Sequence, residues 1–137
     1  MNWTLEVVVV PVSDVALAKA FYEDVMGFAV DHDSDFGEGR RMVQLTPPGS
    51  GCSVVISSFL NDMAPGSLKG VQLVVNDVRA AREELLGRGF DPGEVVVIGP
   101  EGVRPATAED DLNNQGFLFF ADPDGNSWAV QQITARP

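Results

Sequence analysis

At 137 residues and 45% hydrophobic content, the chain has the size of one compact domain and can bury a core without staples. Nine Lys and Arg, scattered along the chain, stand against twenty Asp and Glu for a formal charge of −11, so nucleic acid and anionic membrane are excluded as expected partners. A single cysteine, Cys52, cannot close an intrachain disulfide, residues 1–6 lack a secretory pattern, and no apolar run nears the roughly 20 residues that span a bilayer, so a cytoplasmic setting is expected.

Taken in chain order, residues 6–12 form a β-branched run that suits a buried strand. Asp14 follows as a helix N-cap, whose carboxylate accepts hydrogen bonds from the open N–H groups of the first turn. Ala18, Phe21, Tyr22 and Val25 then recur at helical spacing, and Gly27 supplies the left-handed end. Strand-like runs come next at 41–46 and 52–59, joined by the turn chemistry of Pro47, Pro48 and Gly49. Residues 61–69, with Pro65 and Gly66, read as a joint.

About half a chain later the same syntax returns. Residues 71–75 are β-branched, Asp77 caps, Val78, Ala81 and Leu85 keep helical spacing, and Gly89 ends the helix. Further strands are expected over 94–98, 116–121 and 127–133, with residues 122–126 as the turn between the last two. Residues 100–114 read as a long polar loop, of the kind that serves as a lid or remains disordered. Each half thus reads strand, helix, three strands.

Two motifs carry a family resemblance. Pro11, Val12, Ser13 and Asp14 leading into Phe21-Tyr22-Glu23-Asp24-Val25-Met26-Gly27-Phe28, and Asp122-Pro123-Asp124-Gly125-Asn126 before a last strand, resemble the glyoxalase / bleomycin-resistance / extradiol-dioxygenase (vicinal oxygen chelate) superfamily. With the repeat, the resemblance covers essentially the whole chain. It implies an α+β fold of two tandem βαβββ modules whose curved mixed sheets enclose a cleft. A single domain over 1–137 is expected, with modules of about 1–60 and 70–137 and a linker at 61–69. A homodimer is also expected, since relatives commonly pair and two-fold dimers are the commonest oligomers.

Metal-dependent members of this superfamily project ligands into the cleft from the first and last strands of each module. Here those positions fall on Val7, on Gly70, on Ala129 and within residues 54–57, where no carboxylate or imidazole occurs. None suits a divalent cation, so the resemblance implies a metal-free cleft and no cofactor.

Because strand neighbours alternate faces, stepping by two from those positions names the residues that share the cleft. Val7, Gln72, Ser127, Ala129 and Gln131 follow, with Met42, Gln44, Phe117 and Phe119 from the adjoining strands. Leu73, Trp128 and Val130 are expected on the opposite, helix-packed register. The glutamines can donate and accept but cannot act as acid or base near neutral pH, which suits an uncharged polar ligand; the alternative is that they only bond neighbouring backbone or water.

Other chemistry-bearing residues have plainer readings. His32, a conceivable general base, is expected as an exposed side chain after the first helix. The acidic run from Asp31 to Glu38 misses the calcium-loop pattern, with Phe36 and Met42 where Gly and Glu are needed, and reads as a solvated loop. Cys52 has no basic neighbour and reads as inert, while Glu109, Asp110 and Asp111 read as a solvated like-charge run.

Two functions from different classes remain. The first is a binding protein that holds a small apolar or aromatic molecule. The second is an enzyme: a metal-dependent lyase, isomerase or dioxygenase with an unorthodox ligand set such as Gln72, Gln131 and Glu6, or a metal-free acid/base catalyst. Loss of every usual ligand beside retained aromatics favours binding. A dimerisation module with no ligand is a third reading.

Overall fold

In a computed structural model of the protein, which describes residues 1–135, the N-terminal valine run forms β1 (Val7–Pro11). Asp14 then caps α1 (Val15–Ala20), its carboxylate accepting from the Leu17 N–H at 3.0 Å. The helix continues as a π-helical turn over Phe21–Val25, closed by the Met26 N–H on the Phe21 carbonyl, and Gly27 leaves it at φ 74°. Three strands follow: β2 (Ala29–Asp35), β3 (Arg41–Thr46) and β4 (Ser53–Ser57). They form a sheet in the order β1-β4-β3-β2, with β1 parallel to β4 and the other pairs antiparallel.

α1 packs on β3 and β4. That side of the sheet carries Val10, Val43, Leu45, Val54 and Ile56, all buried with Ala18, Phe21, Tyr22 and Phe28. Tyr22 stacks on Phe28 at 5.8 Å and meets Phe21 edge-on at 5.2 Å.

The acidic run expected as a loop is instead mostly strand, because Asp31 to Asp35 lie in β2. β2 is an edge strand that pairs only with β3, so its side chains need no apolar alternation, and a bulge between Val30 and His32 breaks what period there is. Asp33 lies in register with Val43, on the α1 side, and takes Lys19 at 3.0 Å and Arg41 at 2.6 Å. Hydrogen bonds from Arg41 and then Lys19 hold the Asp33 carboxyl well below the usual carboxylate range. A depressed folded pKa stabilises above the unfolded value and is lost as pH falls through the folded one. All three side chains are about 30% exposed, so solvent screening discounts the effect. Asp33→Asn is therefore expected to cost only about 0.5 kcal/mol near neutrality. In urea titrations that deficit should shrink below pH ~4 and in high salt.

The chain groups into two units, Met1–Leu68 with Asp122–Asn126, and Lys69–Ala121 with the chain from Ser127 on. The 122–126 turn is held in the first unit by a buried polar cluster. The Tyr22 hydroxyl donates to Asp122 Oδ2 at 2.7 Å, and Asn126 Nδ2 donates to the same oxygen at 2.8 Å and to the Pro11 carbonyl at 2.9 Å. Asn126 Oδ1 accepts from the Leu68 N–H at 3.0 Å. Gly66, at φ 83°, passes so close that an added Cβ would lie 2.0 Å from the Asp124 carbonyl oxygen.

In the second unit, β5 (Val71–Val75) leads through the Asp77 cap into α2 (Val78–Gly87). There follow β6 (Val96–Gly99), β7 (Gly102–Pro105), β8 (Gly116–Ala121) and β9 (Ser127–Gln132), in the sheet order β5-β9-β8-β6-β7. β5 runs parallel to β9. The expected loop over 100–114 is thus interrupted by β7, a short exposed edge strand that pairs with β6 and carries no buried residue to mark it in the sequence. Nor is the acidic run beyond it simply solvated: Asp110 is clamped by Arg104 at 2.7 Å and by the Thr107 N–H at 2.7 Å. These donors lower its pKa, the Arg104 guanidinium most.

α2 packs on β8 and β9. Leu118, Phe120, Trp128 and Val130 are buried on that side, and Phe120 stacks on Trp128 with ring centroids 5.9 Å apart. The fold is α+β, with two mixed sheets and few helices.

Candidate functional site

Once β8 and β9 commit Leu118, Phe120, Trp128 and Val130 to α2, strand alternation turns their neighbours to the open side of the sheet. The ladder pairs Gln72 with Ala129 and Ala129 with Phe119, then Val74 with Gln131 and Gln131 with Phe117, so these six residues share one face. Val96 joins them opposite Phe117. Phe117 and Phe119 stack at 6.1 Å with planes 10° apart, and Phe119 and Val74 are 46% and 43% exposed. An aromatic pair that folding leaves this open is surface available to a ligand.

Three amide groups order the polar part of this face. Gln72 Nε2 donates to Gln131 Oε1, and Gln131 Nε2 donates to the Asn114 carbonyl at 2.7 Å. Asn114 sits at φ 67°, a left-handed conformation that Asn tolerates, and its own N–H donates to the Gln132 carbonyl at 2.8 Å. Ser127, two residues before Ala129 on β9, is half-buried.

The open side of the first unit's sheet is built by the same logic. Val9, Val55, Gln44 and His32 lie in one cross-strand row, with Met42, Ser57 and Ser34 in the next. Val7 stands level with Ser53, whose hydroxyl lies 2.6 Å from that of Thr46, which also donates to Asp31. Of the sequence candidates, Val7, Met42 and Gln44 therefore share this face, and Gln72, Phe117, Phe119, Ser127, Ala129 and Gln131 share the face of the second sheet.

The positions where metal-dependent relatives carry ligands do not fit a metal. Val7 and Ala129 present alkyl groups. Gly70, at φ 86°, precedes β5 and has no side chain. Among residues 54–57 only Ser57 has a heteroatom, and its Oγ accepts from the Phe59 and Leu60 N–H groups at 3.1 and 3.2 Å. Three valines or isoleucines and a committed hydroxyl offer a divalent cation no anionic or imidazole donor. Among the described residues, no three His, Cys, Asp or Glu side chains gather as a metal-binding group.

Elsewhere, His32 is exposed on β2, Cys52 is a half-buried free thiol whose Sγ lies 3.5 Å from the Ser53 carbonyl, and Glu6 is exposed just before β1. Sequence reasoning missed the Asn114 carbonyl, because a backbone group brought in by tertiary folding leaves no residue-type signal. It also missed Val96, because Val95 to Ile98 is an unbroken apolar run whose residue types do not say which side faces out. No described helix is long and apolar enough to cross a membrane.

Comparisons with solved structures agree with this architecture. TnmS3, an antibiotic binding protein from Streptomyces sp. CB03234, is 32% identical over 96% of this chain and 97% of its own, with a TM-score of 0.69. A glyoxalase/bleomycin resistance protein from the same organism is 32% identical over 94% of this chain and 100% of its own, at a TM-score of 0.67. A glyoxalase/bleomycin resistance protein/dioxygenase superfamily member from Sphaerobacter thermophilus DSM 20745 is 26% identical over 96% and 98%, at 0.69. No curated protein sequence matches. The family model for the Glyoxalase/Bleomycin resistance protein/Dioxygenase superfamily matches residues 4–130, and with the two-sheet fold this establishes that the chain belongs to that superfamily.

Proposed function

We propose that this chain binds a small, largely apolar or aromatic molecule on the open faces of its sheets, as a cytoplasmic homodimer whose two modules act as one domain. The observation that carries the reading is the stacked, half-exposed Phe117–Phe119 pair beside Ala129 and the Gln72–Gln131 amides. Ala129 presents a methyl group at the position where the family resemblance expects a metal ligand, which suits apolar contact rather than coordination. Val7, Met42 and Gln44 supply a comparable mix of alkyl, thioether and amide on the first sheet. That a 32% identical relative is an antibiotic binding protein supports the same class of ligand.

The test is direct binding of two-ring aromatics, measured by equilibrium dialysis. The chain should take up 2-methoxynaphthalene saturably, and Phe119→Ala should weaken it by about tenfold, from lost stacking and apolar contact. Saturable uptake that Phe119→Ala leaves intact would move the site elsewhere. Analytical ultracentrifugation gives the oligomeric state independently.

A further inference from the structure

The amides on the second sheet's open face are polarised by the backbone. A carbonyl oxygen can only accept, so the Asn114 carbonyl dictates that Gln131 turn Nε2 toward it, at 2.7 Å. Gln131 Oε1 is thereby aimed at β5, and Gln72 must answer with its Nε2. Amide orientation is usually ambiguous, but here it is set step by step from a group that has one role. At the end of the relay, Gln72 Oε1 has no hydrogen-bond partner among the described residues and is exposed on the ligand-facing side.

What that oxygen would meet follows from the register. Gln72, Ala129 and Phe119 stand in one row across β5, β9 and β8. Strands lie about 4.8 Å apart, so the backbones of Gln72 and Phe119 stand roughly 10 Å apart with the Ala129 methyl between them. An aromatic ring with one polar substituent can lie along this row, its ring edge against Phe119 and its substituent at Gln72. The charge of −11 disfavours an anionic substituent, which leaves a neutral or cationic donor.

Resting on the aromatic-ligand reading above, we infer that this face selects aromatic molecules that donate a hydrogen bond, a phenol or an aryl N–H, over equally sized molecules that only accept. Gln72 is the specificity-determining acceptor, and Gln131, tethered to Asn114, is its positioning residue.

Dissociation constants of 2-naphthol and 2-methoxynaphthalene, measured by equilibrium dialysis on the full chain, Gln72→Met and Gln131→Met, test this. The readout is the methoxy-to-hydroxy ratio of dissociation constants, which cancels general apolar affinity. In Gln72→Met the ratio should fall about fivefold, the worth of one hydrogen bond. Gln131→Met should also lower the ratio, because Gln72 is then free to turn its Nε2 outward, an effect that mere support of the sheet would not produce. A ratio that stays within about twofold of the wild-type value in Gln72→Met, with both compounds still bound, overturns the inference and leaves the aromatic seat standing. Failure of the wild-type chain to bind either compound overturns the seat itself, and the inference with it.

Discussion

Asn126→Ala is expected to destabilise the protein by about 3 kcal/mol or more, although the substitution removes little volume. Asn126 is fully buried, and its amide serves three partners at once: the Pro11 carbonyl at 2.9 Å, Asp122 Oδ2 at 2.8 Å and the Leu68 N–H at 3.0 Å. Alanine answers none of them. A backbone donor, a backbone acceptor and a carboxylate oxygen would each lose a partner out of reach of bulk water, and the cost is their desolvation rather than the net worth of the bonds. Asp122 keeps the Tyr22 hydroxyl and two backbone N–H groups, so its loss is partial. Tyr22→Phe should accordingly cost less, about 1.5 kcal/mol. Urea unfolding at neutral pH measures both, as a lower midpoint at unchanged slope. A cost under about 1 kcal/mol for Asn126→Ala would mean that water replaces the amide in the turn.

Trp128→Ala should cost about 3–5 kcal/mol by a different route, through lost contact and a cavity. Trp128 is 2% exposed, stacks on Phe120 at 5.9 Å, and Phe120 in turn meets Phe90 edge-on at 6.4 Å. Removing the indole strips one partner from this row and empties the largest fully buried side-chain volume. Trp128→Phe, which keeps a ring against Phe120, should recover more than half of the loss. Intrinsic fluorescence gives a second readout, because the other tryptophan, Trp3, is 89% exposed. The folded variant should emit only at the long wavelength of a solvated indole, and a wild-type-like emission would contradict the assignment of Trp128 to the core.

Local chemistry was the legible part of this sequence. Asp14 and Asp77 accept from Leu17 and Ala80 in the first turns of α1 and α2, and Gly27 and Gly89 end the helices at φ 74° and 83°. Each depends on a few adjacent residues, which is the range over which residue type alone constrains the backbone. The alternation of β9 was legible for a similar reason. Its period of two is local, and large apolar residues at 128 and 130, set between Ser127, Ala129 and Gln131, leave one choice of buried side. β2 and β7 were not legible, since each is an edge strand whose pairing partner, rather than its own pattern, makes it a strand.

The sequence by itself determined the strand and helix order of each half, the caps and the faces of the last strand, because all of these follow from residue type and short-range periodicity. Only the tertiary structure decided that Asp122–Asn126, flanked on both sides by second-unit strands, is held in the first unit, and that a carbonyl on Asn114 orients Gln131 and Gln72. Both depend on hydrogen bonds between groups distant in the chain, Pro11 with Asn126 and Gln72 with Gln131. An amide can take either orientation until its partner is in place, so its polarity is a property of the folded ladder and not of the residue that carries it.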